Sequence, residues 1–122
     1  MIFCTFALKL NRMNMDYWNE TAAAVTICDC DGIVVYCNKR SAEQFAKYGD
    51  LLGKNLKDCH GPTSWQKICR LIETGESNIY TIEKKGVKKL IHQMPWREQG
   101  EIKGLIEISF ELPSDMQHFV RE

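Results

Sequence analysis

The sequence predicts an α+β fold, a five-stranded antiparallel sheet with helices on one face. Two short segments rich in β-branched residues come first, and an Asp-Gly pair separates them. A middle part with helical periodicity follows, and three longer segments with strand periodicity come last. Strands grouped before and after a helical middle, rather than alternating with helices, are typical of a domain built on one antiparallel sheet.

The first hairpin is predicted from the turn between its two strands. Residues 22–28 form the first strand and residues 33–37 the second. Asp31 and Gly32 close the turn between them, because glycine accepts the positive φ that a tight hairpin turn requires. The first two strands are therefore predicted to form a hairpin that depends only on residues close together in sequence.

A short helix is predicted directly after the second strand. Asn38 ends that strand, and its side chain is expected to bond nearby backbone and to cap the helix that follows. The helix covers residues 39–48. Its apolar face, at helical spacing, consists of Ala42, Phe45 and Ala46.

The longer helix is predicted over residues 64–74. Thr63 and Gln66 have the spacing of a capping box, in which the two side chains satisfy free amides at a helix start. Gly75 is expected to end the helix in the left-handed conformation. The apolar stripe that should face the sheet consists of Trp65, Ile68, Cys69 and Ile72.

Three strands complete the sheet. Short turn sequences containing Gly86 and Gly100 separate them. The last strand alternates, with Ile106 on one face and Glu107 on the other. The three predicted strands are residues 78–84, 87–96 and 101–110.

The domain boundaries follow from these elements. Residues 1–20 are an N-terminal extension with a flanking helix, residues 21–112 the domain itself, and residues 113–122 a short C-terminal helix. The chain stops about ten residues after the last strand, so we expect no fused output domain. Apolar side chains outside the domain proper, which usually mark contact surfaces, are Tyr17, Trp18, Met116, Phe119 and Val120.

Charge and cysteine content limit the class of protein. Lys plus Arg and Asp plus Glu each number 16, so the formal net charge is zero, and a nucleic-acid partner is not expected. The first eight residues are apolar but too short to span a membrane, and no signal peptide is evident. The six cysteines occur within hydrophobic patterns, so we interpret them as thiols in a reducing cytoplasm.

The order of turn, strand, Asn38 and helix resembles the entry to a PAS domain, and the likeness extends from about Thr21 to about Leu112. Within that family, the segment from Cys59 through Pro62 is similar to PAS domains with a Cys-His-Pro-Pro-type segment, found in bacterial signalling and haemerythrin-associated proteins. Gly61 replaces the first proline of that pattern. The resemblance implies a PAS-like fold, with helices on one face of the sheet and the spatial strand order 2-1-5-4-3, and a sensory or docking role.

A ligand pocket is predicted between the sheet and the helices. His92 shares a strand face with Leu90, Met94 and Trp96, and we expect this face to point inward. His92 is then the polar group best placed to orient a ligand, although a lone histidine in a core is more often a hydrogen-bonded structural residue. Walls of the pocket are expected from Trp65, Phe45, Ile68, Met94 and Ile106.

Cys59 and His60 are the second candidate site, since a thiolate and an imidazole side by side are ligands for haem iron or another metal. The alternative is a buried cysteine and a histidine that fixes a turn, because two adjacent ligands do not close a metal site. Cys28 and Cys30 would complete a zinc site only if the fold brought them close. Haem sensors of the family commonly carry a histidine on the long helix, where this chain has none. A flavin photoadduct is disfavoured, since Leu56 follows Asn55 where the reactive cysteine belongs.

The sequence therefore predicts a cytoplasmic sensory module that binds a small ligand, a separate signalling protein, or both, and that is not an enzyme. The alternatives are a ligand-free interaction module and a small isomerase-like enzyme. A carboxylate or tyrosine in the cavity would distinguish the enzyme, and spacing alone places neither there. We also expect a homodimer, in which the flanking helix of each chain lies on or beside the partner's sheet.

Overall fold

A computed structural model describes residues 17–122, and these residues form an antiparallel sheet with the strand order β2-β1-β5-β4-β3. The predicted order is therefore confirmed. Two helices and two short 3₁₀ turns, Ala46–Tyr48 and Leu56–Asp58, lie between β2 and β3. The strands are β1 Ala24–Asp29, β2 Val34–Cys37, β3 Asn78–Lys84, β4 Val87–Glu98 and β5 Glu101–Leu112, and the helices are α1 Lys39–Gln44 and α2 Pro62–Thr74.

Asn38 joins the first hairpin to α1, as predicted. Its side-chain oxygen accepts hydrogen bonds from the amides of Val25, 2.9 Å away, and Ser41, 3.0 Å away. Its amide nitrogen donates to the carbonyl oxygens of Trp18 at 2.7 Å and Ala23 at 2.8 Å. The side chain is 1% exposed, so one buried amide caps the helix and holds the chain before β1 in place.

Helix α2 begins two residues earlier than predicted. Gly61 is its N-cap and makes no side-chain hydrogen bond, and Pro62 occupies the first turn. The predicted capping box at Thr63 is wrong, because a proline lacks the N–H that a cap would satisfy and its fixed φ suits the first helical position. Gly75 ends the helix with φ of 77°, as predicted.

The helices cover one face of the sheet, and the core lies between them. Ile68 and Leu71 from α2 meet Cys28 from β1 and Leu105 from β5, and each of these side chains is at most 3% exposed. Cys28 and Leu105 are directly paired across the two strands. The strand residues that share a face with this pair therefore point toward the helices.

His92, Met94 and Ile106 lie on the opposite face, which corrects the predicted orientation of β4. Pairing places Gln93 opposite Glu107 and His92 opposite Ile108, and Glu107 is two residues from the core residue Leu105 on the same face. The prediction assigned the more apolar face of β4 and β5 to the core. Both faces of this sheet carry large apolar groups, so hydrophobic alternation alone does not determine which face the helices cover.

The C-terminal helix predicted over residues 113–122 is absent, since only a turn at Ser114 and Asp115 follows β5. Met116 and Phe119 are 61% and 62% exposed, so burial contributes little to a segment that is too short to be helical alone. At the other end, residues 17–19 are helical, and the rest of the predicted flanking segment lies outside the described residues.

Candidate functional site

A polar cavity of about 410 Å³ lies between the start of α2 and the central part of the sheet. One wall consists of residues from α2 and the loop before it, and the other of residues from β3, β4 and β5. The size is within the range of small-molecule sites in proteins. The lining residues are His60, Thr63, Ser64, Lys67, Asn78, Tyr80, Gln93 and Glu107.

A larger hollow of about 500 Å³ lies at the tip of the β4–β5 hairpin. Its four lining residues are all exposed, and no apolar or aromatic side chain encloses it. All four belong to one hairpin. The cavity next to α2 is the better candidate because it brings together side chains from distant parts of the chain.

The sheet wall of the cavity is one row of polar residues across three strands. Asn78 of β3 is paired with Gln93 of β4, which is paired with Glu107 of β5. The Asn78 amide donates to Gln93 Oε1 at 3.0 Å, and Gln93 Nε2 donates to Glu107 Oε1 at 3.5 Å. The hydrogen bonds therefore run from Asn78 through Gln93 to the carboxylate of Glu107, which is partly buried.

Burial raises the pKa of Glu107, and the nearby His60 charge and the hydrogen bond from Gln93 offset part of that rise. Burial also raises the pKa of Tyr80, and the negative charge of Glu107 adds to it. Both shifts have the same physical origin, since a charge is less stable where water is excluded. The cavity thus holds an acid and a phenol whose charged forms are disfavoured.

Replacing Glu107 with glutamine is expected to stabilise the protein at pH 7 and to have little effect near pH 4. The folded pKa lies above the unfolded value of about 4.3, so the wild-type carboxyl favours folding only below that value. Its contribution is lost as the pH rises through the raised folded pKa. Urea unfolding of both proteins, followed by tryptophan fluorescence at several pH values between 4 and 7, measures the difference.

Glu83→Gln is the matched control, because Glu83 is an exposed residue of β3 outside the cavity. The control should unfold like the wild type at each pH. Equal stability of wild type and Glu107→Gln across the range would show that burial of Glu107 does not destabilise its charge.

On the helical wall, the structure separates Cys59 from its neighbour His60. The His60 ring lines the cavity, and its Nδ1 lies 2.8 Å from the Leu56 carbonyl oxygen, so Nδ1 carries a proton and Nε2 is left available. Cys59 is 8% exposed and belongs to the hydrophobic core. The two side chains therefore do not converge on one bound atom, and this arrangement matches the structural alternative for the pair.

The predicted pocket residues do not come together. His92, Met94 and Ile106 lie on the sheet face away from the helices. Ile68 is a core residue at 2% exposure. Trp65 lies directly against the first hairpin, since a Cβ on Gly32 would overlap its ring.

Phe45 is the predicted wall residue nearest to the cavity. Its ring centroid lies 6.1 Å from that of His60, and it also packs against the core. Phe45 therefore packs beside the His60 ring, and its contact with a ligand remains a prediction.

The described cysteines either pack in or against the core or lie apart from one another at the surface. Five of them are free thiols, and burial is the main cause that raises the pKa of Cys28 to about 11, which makes this thiol unreactive. Within residues 17–122, no group of three or more histidine, cysteine or acidic side chains is arranged to hold a metal ion. Cys4 lies outside the described residues.

Sequence reasoning missed the sheet wall of the cavity. Gln93 lies between His92 and Met94 in sequence, and Glu107 between Ile106 and Ile108. The alternation of the last strand predicts only that Glu107 lies on the face opposite Ile106, and it assigns no role to Gln93. A polar residue at the centre of a central strand, where both neighbours on the sheet are also polar, is the signal that would have indicated a cavity.

No protein-family model and no curated protein matches the chain. Solved structures do match it. The PAS domain of the histidine kinase ThkA has a TM-score of 0.59 at 22% identity, over 74% of this chain and 99% of that domain. The PAS domain of an HTR-like protein from Haloarcula marismortui has a TM-score of 0.60 at 13% identity, over 92% of this chain and all of that one.

VqmA, solved in a structure described as bound to DPO, has a TM-score of 0.62 at 21% identity, over 84% of this chain and 57% of the VqmA chain. A second structure, of Vibrio cholerae VqmA, is matched over 51% of its length, so this chain spans about half of VqmA. None of these comparisons supports the narrower likeness to Cys-His-Pro-Pro-type domains. No helix within residues 17–122 has the length and apolar character needed to cross a membrane. The sheet order, the helices on one face and these neighbours agree, and the chain has a PAS-like fold.

Proposed function

We propose that this protein is a PAS-type sensory module that binds a small molecule in the cavity between α2 and the sheet. The cavity itself carries the proposal, since it gathers residues from the loop before α2, from α2 and from three strands around about 410 Å³. Pockets of this kind combine apolar support with a few convergent polar groups. The structure of VqmA bound to DPO is consistent with ligand uptake by a protein of similar fold.

Binding is expected to act without catalysis, in the cytoplasm, with the signal passed by contact to a separate protein. A nucleic-acid partner is not part of the proposal, because the formal net charge is zero. One VqmA structure is described as a complex with ligand and DNA, but this chain corresponds to only 50% of that chain. DNA binding therefore belongs to VqmA as a whole protein.

Native mass spectrometry of the protein purified from its own host tests ligand binding. The wild type should carry one additional small mass per chain. Ser64→Phe, which places a ring in the cavity, should lose it, whereas Gln66→Phe on an exposed part of the same helix should retain it. A wild-type protein that is always at the mass of the bare chain would instead favour the ligand-free interaction module.

An isomerase-like enzyme is the second candidate, because the structure places both Glu107 and Tyr80 at the cavity. A carboxylate with a raised pKa is suited to act as a general base near neutral pH. Incubating the recovered ligand with the protein in deuterated water separates the two functions. After the ligand is returned to ordinary water, proton abstraction from carbon would leave deuterium in it, and none would be left after incubation with Glu107→Gln. A binding module would return the ligand with unchanged mass.

We expect the module to form a homodimer through apolar groups outside its core. Trp18 is 42% exposed, and Phe110 and Ile79, on the sheet face away from the helices, are 38% and 60% exposed. Burial of such groups contributes about 25 cal/mol per Å² of apolar area. Analytical ultracentrifugation should show a dimer at micromolar concentration that dissociates more readily when Trp18 and Phe119 are replaced by serine.

Ile82→Ser is the control for the dimer, since Ile82 is equally apolar but lies on the helical side of β3. This variant should dimerise like the wild type. A wild type that sediments as a monomer at high micromolar concentration would exclude the proposed interface.

A further inference from the structure

The sheet wall of the cavity offers hydrogen-bond acceptors to whatever occupies it. An ionised carboxylate only accepts hydrogen bonds, so Gln93 must direct its NH₂ group toward Glu107, and Asn78 must then direct its own NH₂ group toward Gln93. One N–H of each amide is thereby engaged along the row. The groups left to accept hydrogen bonds from a ligand on this wall are the Asn78 carbonyl oxygen, the second Glu107 oxygen and the Tyr80 hydroxyl oxygen.

Glu107 makes no direct ion pair within the part of the chain that the structure describes, although the nearby His60 charge lowers its pKa. The ion pairs there are Arg40 with Glu43, Arg40 with Glu111, and Lys103 with Glu101. A carboxylate that is removed from water and left unpaired is costly to a protein, and such a group gains most from a positively charged partner. Within the cavity, Glu107 is therefore the group that a positively charged partner would stabilise most.

The basic side chains on the opposite wall form no ion pair with Glu107. Lys67 is exposed and has no ion pair with Glu107, so solvent screens its charge. The His60 ring donates from Nδ1 to the Leu56 carbonyl and, when neutral, presents an acceptor at Nε2. Among residues 17–122, no positive group contacts Glu107 directly, so a bound ligand could supply that contact.

We propose that the cavity selects small molecules that carry a protonated nitrogen, an amine or an amidine, with Glu107 as their counter-ion. This inference rests on the proposed ligand-binding function. The charged nitrogen would bind the free Glu107 oxygen and the neighbouring acceptors of Asn78 and Tyr80. The rest of the molecule would lie toward the Thr63 and Ser64 hydroxyls at the start of α2.

Two sets of fragments with matched shapes test the preference. The probes are benzamidine, benzamide and benzoate, together with cyclohexylamine, cyclohexanol and cyclohexanecarboxylate. Each is titrated into isotope-labelled protein while the amide resonances of Asn78, Gln93 and Glu107 are followed by NMR. The cation of each set should bind at least tenfold more tightly than its neutral partner, and the anion most weakly.

Glu107→Gln should abolish the preference for the cation, whereas Glu111→Gln, at an exposed position of the same strand, should retain it. In the wild type, added salt should weaken benzamidine binding and leave benzamide unaffected, a readout that needs no variant. Binding of the neutral or anionic probes with equal or greater affinity would overturn the selectivity but leave the ligand-binding function intact. If none of the six probes perturbs the cavity, the selectivity is also overturned, and a bare chain mass from the native host would then overturn the function as well.

Discussion

Replacing Asn38 with alanine is expected to lower the free energy of unfolding by roughly 3 kcal/mol or more, because it removes a helix cap together with several further hydrogen bonds of a buried side chain. The Val25 amide and the carbonyl oxygens of Trp18 and Ala23 all lose their bonds to this side chain. The position is 1% exposed, so water does not replace them. Urea unfolding followed by tryptophan fluorescence measures the loss.

Asn55→Ala is the matched control for this prediction. Asn55 also caps a short helical turn, accepting from the Lys57 amide at 3.0 Å, but its side chain is more accessible to solvent. Its loss should cost about 1 kcal/mol. A cost for Asn38→Ala no greater than for Asn55→Ala would show that the buried bonds of Asn38 add nothing beyond a simple cap.

Gly104→Ala is the second variant with a large expected effect, a loss of roughly 3 kcal/mol or more in the free energy of unfolding. The added methyl group would be forced against backbone atoms, which cannot move aside as a flexible side chain can. A Cβ at this position would overlap the Cys28 carbonyl oxygen and lie 2.6 Å from Trp96 Nε1. Trp96 Nε1 itself donates to the Cys28 carbonyl at 3.0 Å. The methyl group would therefore push β1 away from β5 and break this bond. Thermal unfolding measures the change.

Gly100→Ala separates this clash from backbone strain alone. Gly100 has φ of 84° in the β4–β5 turn, and nothing lies within 4 Å of a Cβ built there. Its replacement should cost about 1 kcal/mol, from the positive φ. If both alanine variants lose equal stability, the close approach of Cys28 to Gly104 is not what requires glycine at this position.

Local signals predicted most of the fold correctly. Gly32 has the positive φ expected of its turn, Gly75 ends α2 as predicted, and β3 has its predicted bounds. Each of these features depends on the conformations open to one or a few neighbouring residues. The strand order was also predicted, but from the resemblance to a known fold and not from any local pattern.

The candidate site was predicted only in part. His60, named with Cys59 as a candidate ligand for haem iron or another metal, does lie at the cavity. Gln93 and Glu107 were overlooked, and His92 was assigned to the wrong face of the sheet. Polar residues within an alternating strand have the same sequence pattern whether they face solvent or a cavity.

The sequence by itself determined where the five strands and the two helices between β2 and β3 lie, because glycine, proline, asparagine and the hydrophobic periodicity act over a few residues. Only the tertiary structure decided which face of the sheet the helices cover. That choice placed Asn78, Gln93 and Glu107 in one row beneath α2 and left His92 on the outside. The physical reason is that both faces carry apolar groups, so the selection depends on packing between strands and helices that are distant in sequence.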